Sequence, residues 1–169
     1  MSHNSLSGGK VIWITGASSG LGRSLVLLLA SQGHQVIASA RDKNALQKME
    51  ADSSNICAMP FDMVDESSLA SVQIEIEQKF SAIDQIILNA GTCEYLDFPD
   101  TDWCAIRRVM EVNYFGTINC LKVALPLLRN SSALRPHIVV IASQVTNAPF
   151  PRSEAYGASK AALQYFFDS

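Results

Sequence analysis

Val11-Ile12-Trp13-Ile14-Thr15 runs directly into Gly16-Ala17-Ser18-Ser19-Gly20-Leu21-Gly22, and an amphipathic helical pattern starts where the glycines end. The short apolar run suits a strand. Glycines after it let the backbone turn tightly and approach a pyrophosphate, whose charge is stabilised by free amide donors and the positive end of a helix dipole. Strand, glycine turn and helix in that order point to a nucleotide phosphate. The spacing, three residues between Gly16 and Gly20 and one between Gly20 and Gly22, departs from the commoner dinucleotide fingerprint, and the Lys of a triphosphate loop is missing. The glycines alone leave open a plain Gly/Ser turn that caps a helix.

Outward from this turn the pattern repeats. Further strand-like runs lie at Val36 to Ala40, Ile56 to Phe61, Gln85 to Asn89 and Ile138 to Ser143. Between them, Leu21, Leu25, Leu28 and Leu29 recur at one-face helical spacing, as do Leu69, Val72, Ile76 and Phe80, and then Val109, Val112, Phe115 and Ile118. Parallel strands need crossovers of a dozen or more residues, so the alternation predicts an α/β fold: a Rossmann-type doubly wound parallel sheet in three αβα layers. Ile138 to Ala142 has no polar alternate, as expected of a strand buried on both faces. Gly33-His34 closes the first helix, and Pro60, Pro99 and Pro126 mark bends or helix boundaries. No repeat, low-complexity run or linker divides the chain, so residues 1–169 are expected to form a single dinucleotide-binding domain.

Composition narrows the partners. With 48% apolar and 17% charged residues, the 169-residue chain can bury enough surface to fold. Its net charge is −3 and no block of one sign occurs, which makes nucleic acid a poor partner. The longest apolar runs, Leu25 to Ala30 and Ile138 to Ala142, fall far short of the roughly 20 residues of a bilayer span. Met1 to Lys10 is polar and lacks a secretory pattern, so a cytoplasmic protein is expected. Cys57, Cys93, Cys104 and Cys120, like His3, His34 and His137, are too scattered for a metal site, and none is assigned.

The end of the second strand distinguishes dinucleotides, because a carboxylate there accepts from a ribose 2′-hydroxyl and repels a 2′-phosphate. Ser39-Ala40-Arg41-Asp42 offers a guanidinium instead, which favours NADP over NAD. The alternative is that Arg41 pairs with Asp42 or solvent and Asp42 takes the ribose.

Tyr156-Gly157-Ala158-Ser159-Lys160 places a phenol and an ammonium at i and i+4, on one helix face. The pair follows the fifth strand, whose carboxyl end carries Ser143, and ligands of such sheets bind at those ends. Ser143, Tyr156 and Lys160 can then serve one reaction. Hydride reaching a carbonyl carbon leaves negative charge on oxygen that needs a proton, and Tyr156 can give it. In reverse Tyr156 acts as a phenolate, stabilised by Lys160 and the charge of the oxidised nicotinamide. Ser143 holds the carbonyl oxygen by a neutral hydrogen bond.

Taken together these residues resemble the short-chain dehydrogenase/reductase family, from about Lys10 to the end of the chain. The motifs agree in order: the turn Thr15 to Gly22, Asp62 after the third strand, Asn89-Ala90-Gly91 after the fourth, Asn113 within Val112-Asn113-Tyr114-Phe115-Gly116, and Ser143 with Tyr156 and Lys160. The resemblance implies a cofactor-binding set of Gly16, Ser18, Ser19, Gly20, Leu21, Gly22, Arg41, Asp62, Met63, Asn89, Ala90, Gly91, Tyr156 and Lys160. Within it, Asp62 bonds the adenine amino group, Met63 offers its amide, and Asn89, Ala90 and Gly91 line the riboses. It also implies a catalytic tetrad of Asn113, Ser143, Tyr156 and Lys160, in which Asn113 kinks its helix and anchors a water leading from Lys160. Ser19 stands where some members carry an additional basic residue. A small-molecule carbonyl or alcohol is the implied substrate, and pairing into a homo-oligomer through the helices bearing Asn113 and Tyr156 is the implied assembly.

Family members continue past this helix with further strands, a substrate lid and a loop around the nicotinamide, whereas the present sequence stops at Ser169. Tyr165-Phe166-Phe167-Asp168-Ser169 reads as a helix cut in mid-course, so the fold is expected to be truncated after the helix following the fifth strand. The expected consequences are an open apolar edge at Ile138 to Ser143, poor solubility or partner-dependent folding, and an incomplete substrate pocket. A noncatalytic dinucleotide-binding fragment or module is therefore the second expectation.

Overall fold

The computed structural model describes residues 9–133 and 135–169; the segment containing Met1 and His3 lies outside them. In chain order come β1 (Val11–Thr15), α1 (Gly20–Ser31), β2 (Gln35–Ser39), α2 (Lys43–Asp52), β3 (Ile56–Ala58), α3 (Glu66–Phe80), β4 (Gln85–Leu88) and α4 (Cys104–Met110). A π-helical turn (Glu111–Gly116) joins α4 to α5 (Thr117–Arg129), and β5 (His137–Val140), a 3₁₀ turn (Gln144–Thr146) and α6 (Glu154–Asp168) follow. The strands form one parallel sheet in the order β3-β2-β1-β4-β5. Val11 is registered on Gln35, Ile12 on Gln85, and Gln85 on His137.

Alternate strand residues point to opposite faces, and each face has its own core. On one, Trp13, Ile37, Ile86 and Leu88 pack with Leu69, Val72 and Ile76 of α3 and Cys120, Ala124 and Leu127 of α5. On the other, Ile12, Ile14, Val36, Ala38 and Ile87 pack with Val26 and Ala30 of α1 and Leu46 and Met49 of α2. These are the three expected αβα layers. The chain moves outward from β1 to β3 and then returns to place β4 on the other side of β1. That reversal opens a crevice at the carboxyl ends of β1 and β4, the usual ligand position in such sheets.

Several elements differ from the sequence reading. In α1 the buried face is Gly22, Val26 and Ala30, with Leu25 and Leu29 beside it, while Leu21 and Leu28 are more than half exposed. Small residues take the contact line because the helix lies close to the turn beneath it. β5 is not buried on both faces: among the described residues it is the edge strand, paired with β4, and His137 and Ile138 are exposed. It ends at Val140 rather than Ser143. β3 ends at Ala58, well before Phe61. Pro126 does not bound a helix but lies inside α5, which continues to Arg129. The stripe containing Val109, Val112, Phe115 and Ile118 is broken by the π-helical turn, which leaves Phe115 about half exposed.

Candidate active site

The crevice is a cavity of about 500 Å³ whose lining includes Gly16, Ser18, Ser19, Arg41, Asp62, Met63, Asn89, Ala90 and Gly91. Nine of the expected cofactor residues thus share one surface. Thr15, Phe61, Thr92 and Val112 line it as well. Gly20, Leu21 and Gly22, within the first turns of α1, are not among its lining residues, nor are Ser143, Tyr156 and Lys160.

The turn is held by glycine geometry and by Asn89. Gly16 has a φ of +67°, and a Cβ there would sit 2.7 Å from Cα of Ala90; a Cβ on Gly22 would collide with the carbonyl of Gly16. Side chains are excluded at both places, which lets α1 start directly against the end of β1. Asn89 Nδ2 donates to the carbonyl oxygens of Thr15 and Gly16 at 3.0 and 3.2 Å. The hydroxyl of Thr15 accepts from the main-chain amides of Asn89 and Ala90 at 3.1 and 3.2 Å. Asn89 therefore shapes the turn from below, and Thr15, which sequence reasoning had only quoted as the start of the turn, is its buried counterpart. Its position at the end of the first strand was the available signal.

Helix N-termini differ around the crevice. α2 and α3 are capped by Asp42, which accepts from Ala45 N at 3.0 Å, and by Asp65, which accepts from Ser67 N at 3.0 Å. Hydrogen bonds from Ser68 and Ser67 hold the Asp65 carboxyl below its ordinary pKa of 3.8. Ser19 at the start of α1 makes no side-chain capping bond. Amides at this end are thus available to an acidic group from outside the chain. The donor set fits a dinucleotide phosphate. Arg41 is exposed beyond the end of β2 and has no ion-pair partner among the described residues, so the alternative of pairing with Asp42 is not what the structure places there. Asp62 Oδ1 accepts from Val64 N at 3.1 Å, folding the segment after β3 back on itself. Met63 is buried, its carbonyl accepts from Asn119 Nδ2 at 3.1 Å, and a Cβ on Gly116 would stand 2.7 Å from its Cγ.

The π-helical turn centres on Asn113, which is fully buried. Its Oδ1 accepts from Thr92 N at 2.7 Å, and its Nδ2 donates to Thr92 O at 2.8 Å and to Ser159 Oγ at 2.9 Å. The main-chain oxygen of Asn113 accepts from the Thr117 hydroxyl at 2.7 Å. The helix is distorted at Asn113 by a widened, π-helical turn. Neither Thr92 nor Ser159 had been singled out, because nothing in their type or spacing distinguishes them from ordinary polar residues.

Tyr156 and Lys160 lie on one face of α6, with Lys160 Nζ 5.9 Å from the centroid of the Tyr156 ring. Lys160 is 4% exposed and donates to Ile141 O at 2.8 Å, which ties α6 to the end of β5. Burial lowers its pKa from the ordinary 10.5. Ser143, just beyond, accepts from Val145 N at 3.3 Å at the start of the 3₁₀ turn. A Cβ on Gly157 would stand 3.5 Å from Val145 Cγ2, so this turn rests against α6 one residue from Tyr156. A Cβ on Gly91 would stand 3.3 Å from Asn113 Oδ1 and 3.6 Å from Lys160 Nζ. Gly91 is thus the point at which the crevice meets Asn113 and Lys160.

Exposed ion pairs lie in the segments that follow Gly91 and precede α6. Arg152, next to α6 and in the left-handed region at φ +67°, pairs with Asp97 at 2.6 Å, and Arg108 pairs with Glu94 and Asp102. Cys93, two residues beyond Gly91, is exposed. No group of metal-ligating side chains occurs among the described residues.

Known proteins share this fold and are similar in sequence. The rat dehydrogenase/reductase SDR family member 7B (Rattus norvegicus) is 36% identical over 168 residues, covering 94% of this chain and 51% of that protein. The 11-beta-hydroxysteroid dehydrogenase A of Sesamum indicum is 32% identical over 167 residues, covering 95% of this chain and 47% of that one. The chain spans about half the length of these relatives. Among solved structures, the KRED1-Pglu enzyme superposes with a TM-score of 0.85 at 33% identity, covering 93% of this chain and 66% of that one. The Pseudomonas aeruginosa RhlG/NADP active-site complex does so with a TM-score of 0.85 at 25% identity, covering 95% and 65%. The profile of the short chain dehydrogenases matches residues 10–169, and the chain belongs to that family.

Proposed function

We propose that the chain carries the cofactor-binding and proton-transfer parts of an NADP-dependent oxidoreductase acting on a carbonyl or secondary alcohol. The observation that carries this reading is the meeting of Asn113 and Lys160 at Gly91, on the border of the crevice, with Tyr156 on the same face of α6. A bound NADPH would supply hydride. Gly16, Ser18, Ser19 and the first amides of α1, with Gly20, Leu21 and Gly22, hold its phosphates, and Arg41 pairs with the 2′-phosphate. Asp62 and Met63 contact the adenine, and Asn89, Ala90 and Gly91 line the riboses. The NADP complex of the RhlG relative supports this choice of cofactor over NAD.

Ser143 holds the substrate oxygen by a neutral hydrogen bond. Tyr156 gives its phenolic proton to that oxygen as charge develops, and Lys160 stabilises the phenolate left behind. Asn113 keeps a water in line with Lys160 so that the proton can be replaced from solvent. Residues 1–169 act as one domain in this reading, with a small molecule as substrate and a second copy of the chain as a possible partner. No described helix is long and apolar enough to cross a membrane.

One fact favours a second reading. The crevice is lined by expected cofactor residues but not by Ser143, Tyr156 or Lys160, as in a noncatalytic dinucleotide-binding module. Titration with NADPH followed by fluorescence, and then turnover on a panel of aldehydes and ketones, separates the two. Binding with turnover supports the oxidoreductase; binding without turnover supports the module; failure to bind NADPH contradicts both.

A further inference from the structure

Ser159 is completely buried and touches two of the candidate catalytic residues at once. Its Oγ donates to the main-chain oxygen of Tyr156 at 2.7 Å and accepts from Asn113 Nδ2 at 2.9 Å. A hydroxyl has one proton, and a carbonyl oxygen can only accept. With that proton committed to Tyr156, Ser159 presents lone pairs to Asn113, and only the NH₂ half of the carboxamide can meet them.

Ser159 acts with the Thr92 main chain on the rotation of Asn113. With Nδ2 on Ser159 and on Thr92 O, its Oδ1 faces Thr92 N, as observed at 2.7 Å. Reversal would set Oδ1 against the lone pairs of Ser159 and of Thr92 O, and Nδ2 against the N–H of Thr92, three repulsive contacts around a fully buried side chain. The same rotation puts Oδ1 on the side of Gly91 and Lys160, since a Cβ on Gly91 would lie 3.3 Å from Oδ1 and 3.6 Å from Lys160 Nζ. Ser159 therefore joins Thr92 in fixing which atom of Asn113 faces the border of the crevice.

We infer that Ser159 is a positioning residue whose hydroxyl, with the Thr92 main chain, holds the orientation of the Asn113 carboxamide and couples it to the turn of α6 that bears Tyr156. Its effect on turnover rests on the oxidoreductase reading; its effect on Asn113 does not.

The test is hydrogen exchange of the Asn113 side-chain NH₂ by ¹⁵N NMR, assigned by its loss in Asn113→Ala, with the Ile87 main-chain amide as the monitor of global opening. In the wild-type chain these protons should exchange at least about tenfold more slowly than those of the exposed Asn130. Ser159→Ala should remove at least about tenfold of that protection relative to Ile87, and Ser159→Thr, which keeps the hydroxyl, should retain it. Equal exchange at Asn113 and Asn130 in the wild type overturns the inference without any variant, as does unchanged protection in Ser159→Ala. Where the wild type reduces a carbonyl with NADPH, Ser159→Ala should lower kcat about tenfold and leave the KM for NADPH within about twofold. Unchanged kcat overturns the coupling to catalysis. Absence of wild-type turnover contradicts the oxidoreductase reading, and the exchange comparison still decides the role of Ser159.

Discussion

Lys160 Nζ donates a 2.8 Å hydrogen bond to the main-chain oxygen of Ile141, and through it α6 is fastened to the carboxyl end of the edge strand. The bond brings an ammonium into a nearly closed site, and burial lowers its pKa from 10.5. Below the lowered pKa both folded and unfolded chains carry the charge, so the cost of burying it is fully present. Between the lowered value and 10.5 the unfolded chain binds more protons, so stability rises with pH. Urea unfolding of the wild type and Lys160→Met from pH 7 to 10.5 should show the wild type gaining stability on the variant as pH increases. A constant difference would remove the buried charge from the account.

Arg41 is exposed beyond β2, while the neighbouring carboxylate of Asp42 caps α2. Charge-assisted bonds to a phosphate contribute about 1.5–3 kcal/mol. Arg41→Ala should weaken NADPH binding by about 10- to 100-fold and leave NADH binding nearly unchanged, as measured by nucleotide fluorescence titration. Equal losses for both nucleotides would place the 2′-phosphate elsewhere.

Gly22 has no room for a methyl group, because its Cβ would meet the Gly16 carbonyl. Gly22→Ala should force the turn away from Asn89 and destabilise the chain by about 1–3 kcal/mol in urea unfolding, with NADPH affinity lost as well. An alanine variant with unchanged stability and affinity would show that α1 need not start so close to β1.

His137 and Ile138 leave an apolar, exposed edge on β5. An open edge of this kind pairs with other strands unless charge blocks it. Ile138→Lys should reduce concentration-dependent self-association of the chain in sedimentation velocity without lowering its midpoint in urea. Unaltered association would move the contact to another surface.

The turn from Thr15 to Gly22 and the alternation of strands and helices were readable in the sequence because glycine placement and apolar runs are local signals. The same signals misplaced the buried face of α1: leucines at 21 and 28 share the helical period, but steric room beneath the helix selects Gly22, Val26 and Ala30. β5 lies at the sheet edge, as expected for Ile138 to Ser143, but its lack of polar alternates did not report burial, since His137 and Ile138 are exposed. At the site, Tyr156 and Lys160 were legible from their spacing. Thr92 and Ser159 were not, since their importance comes from contacts between residues distant in the chain, Thr92 with Asn113 and Ser159 with Asn113.

Replacement of the Tyr156 phenol tests the account most directly. The measurement is NADPH-dependent carbonyl reduction by the wild type and Tyr156→Phe, alongside NADPH affinity for each. The account predicts a fall in kcat on the order of 10²- to 10⁴-fold with affinity preserved. A phenylalanine variant that turns over at the wild-type rate would contradict it.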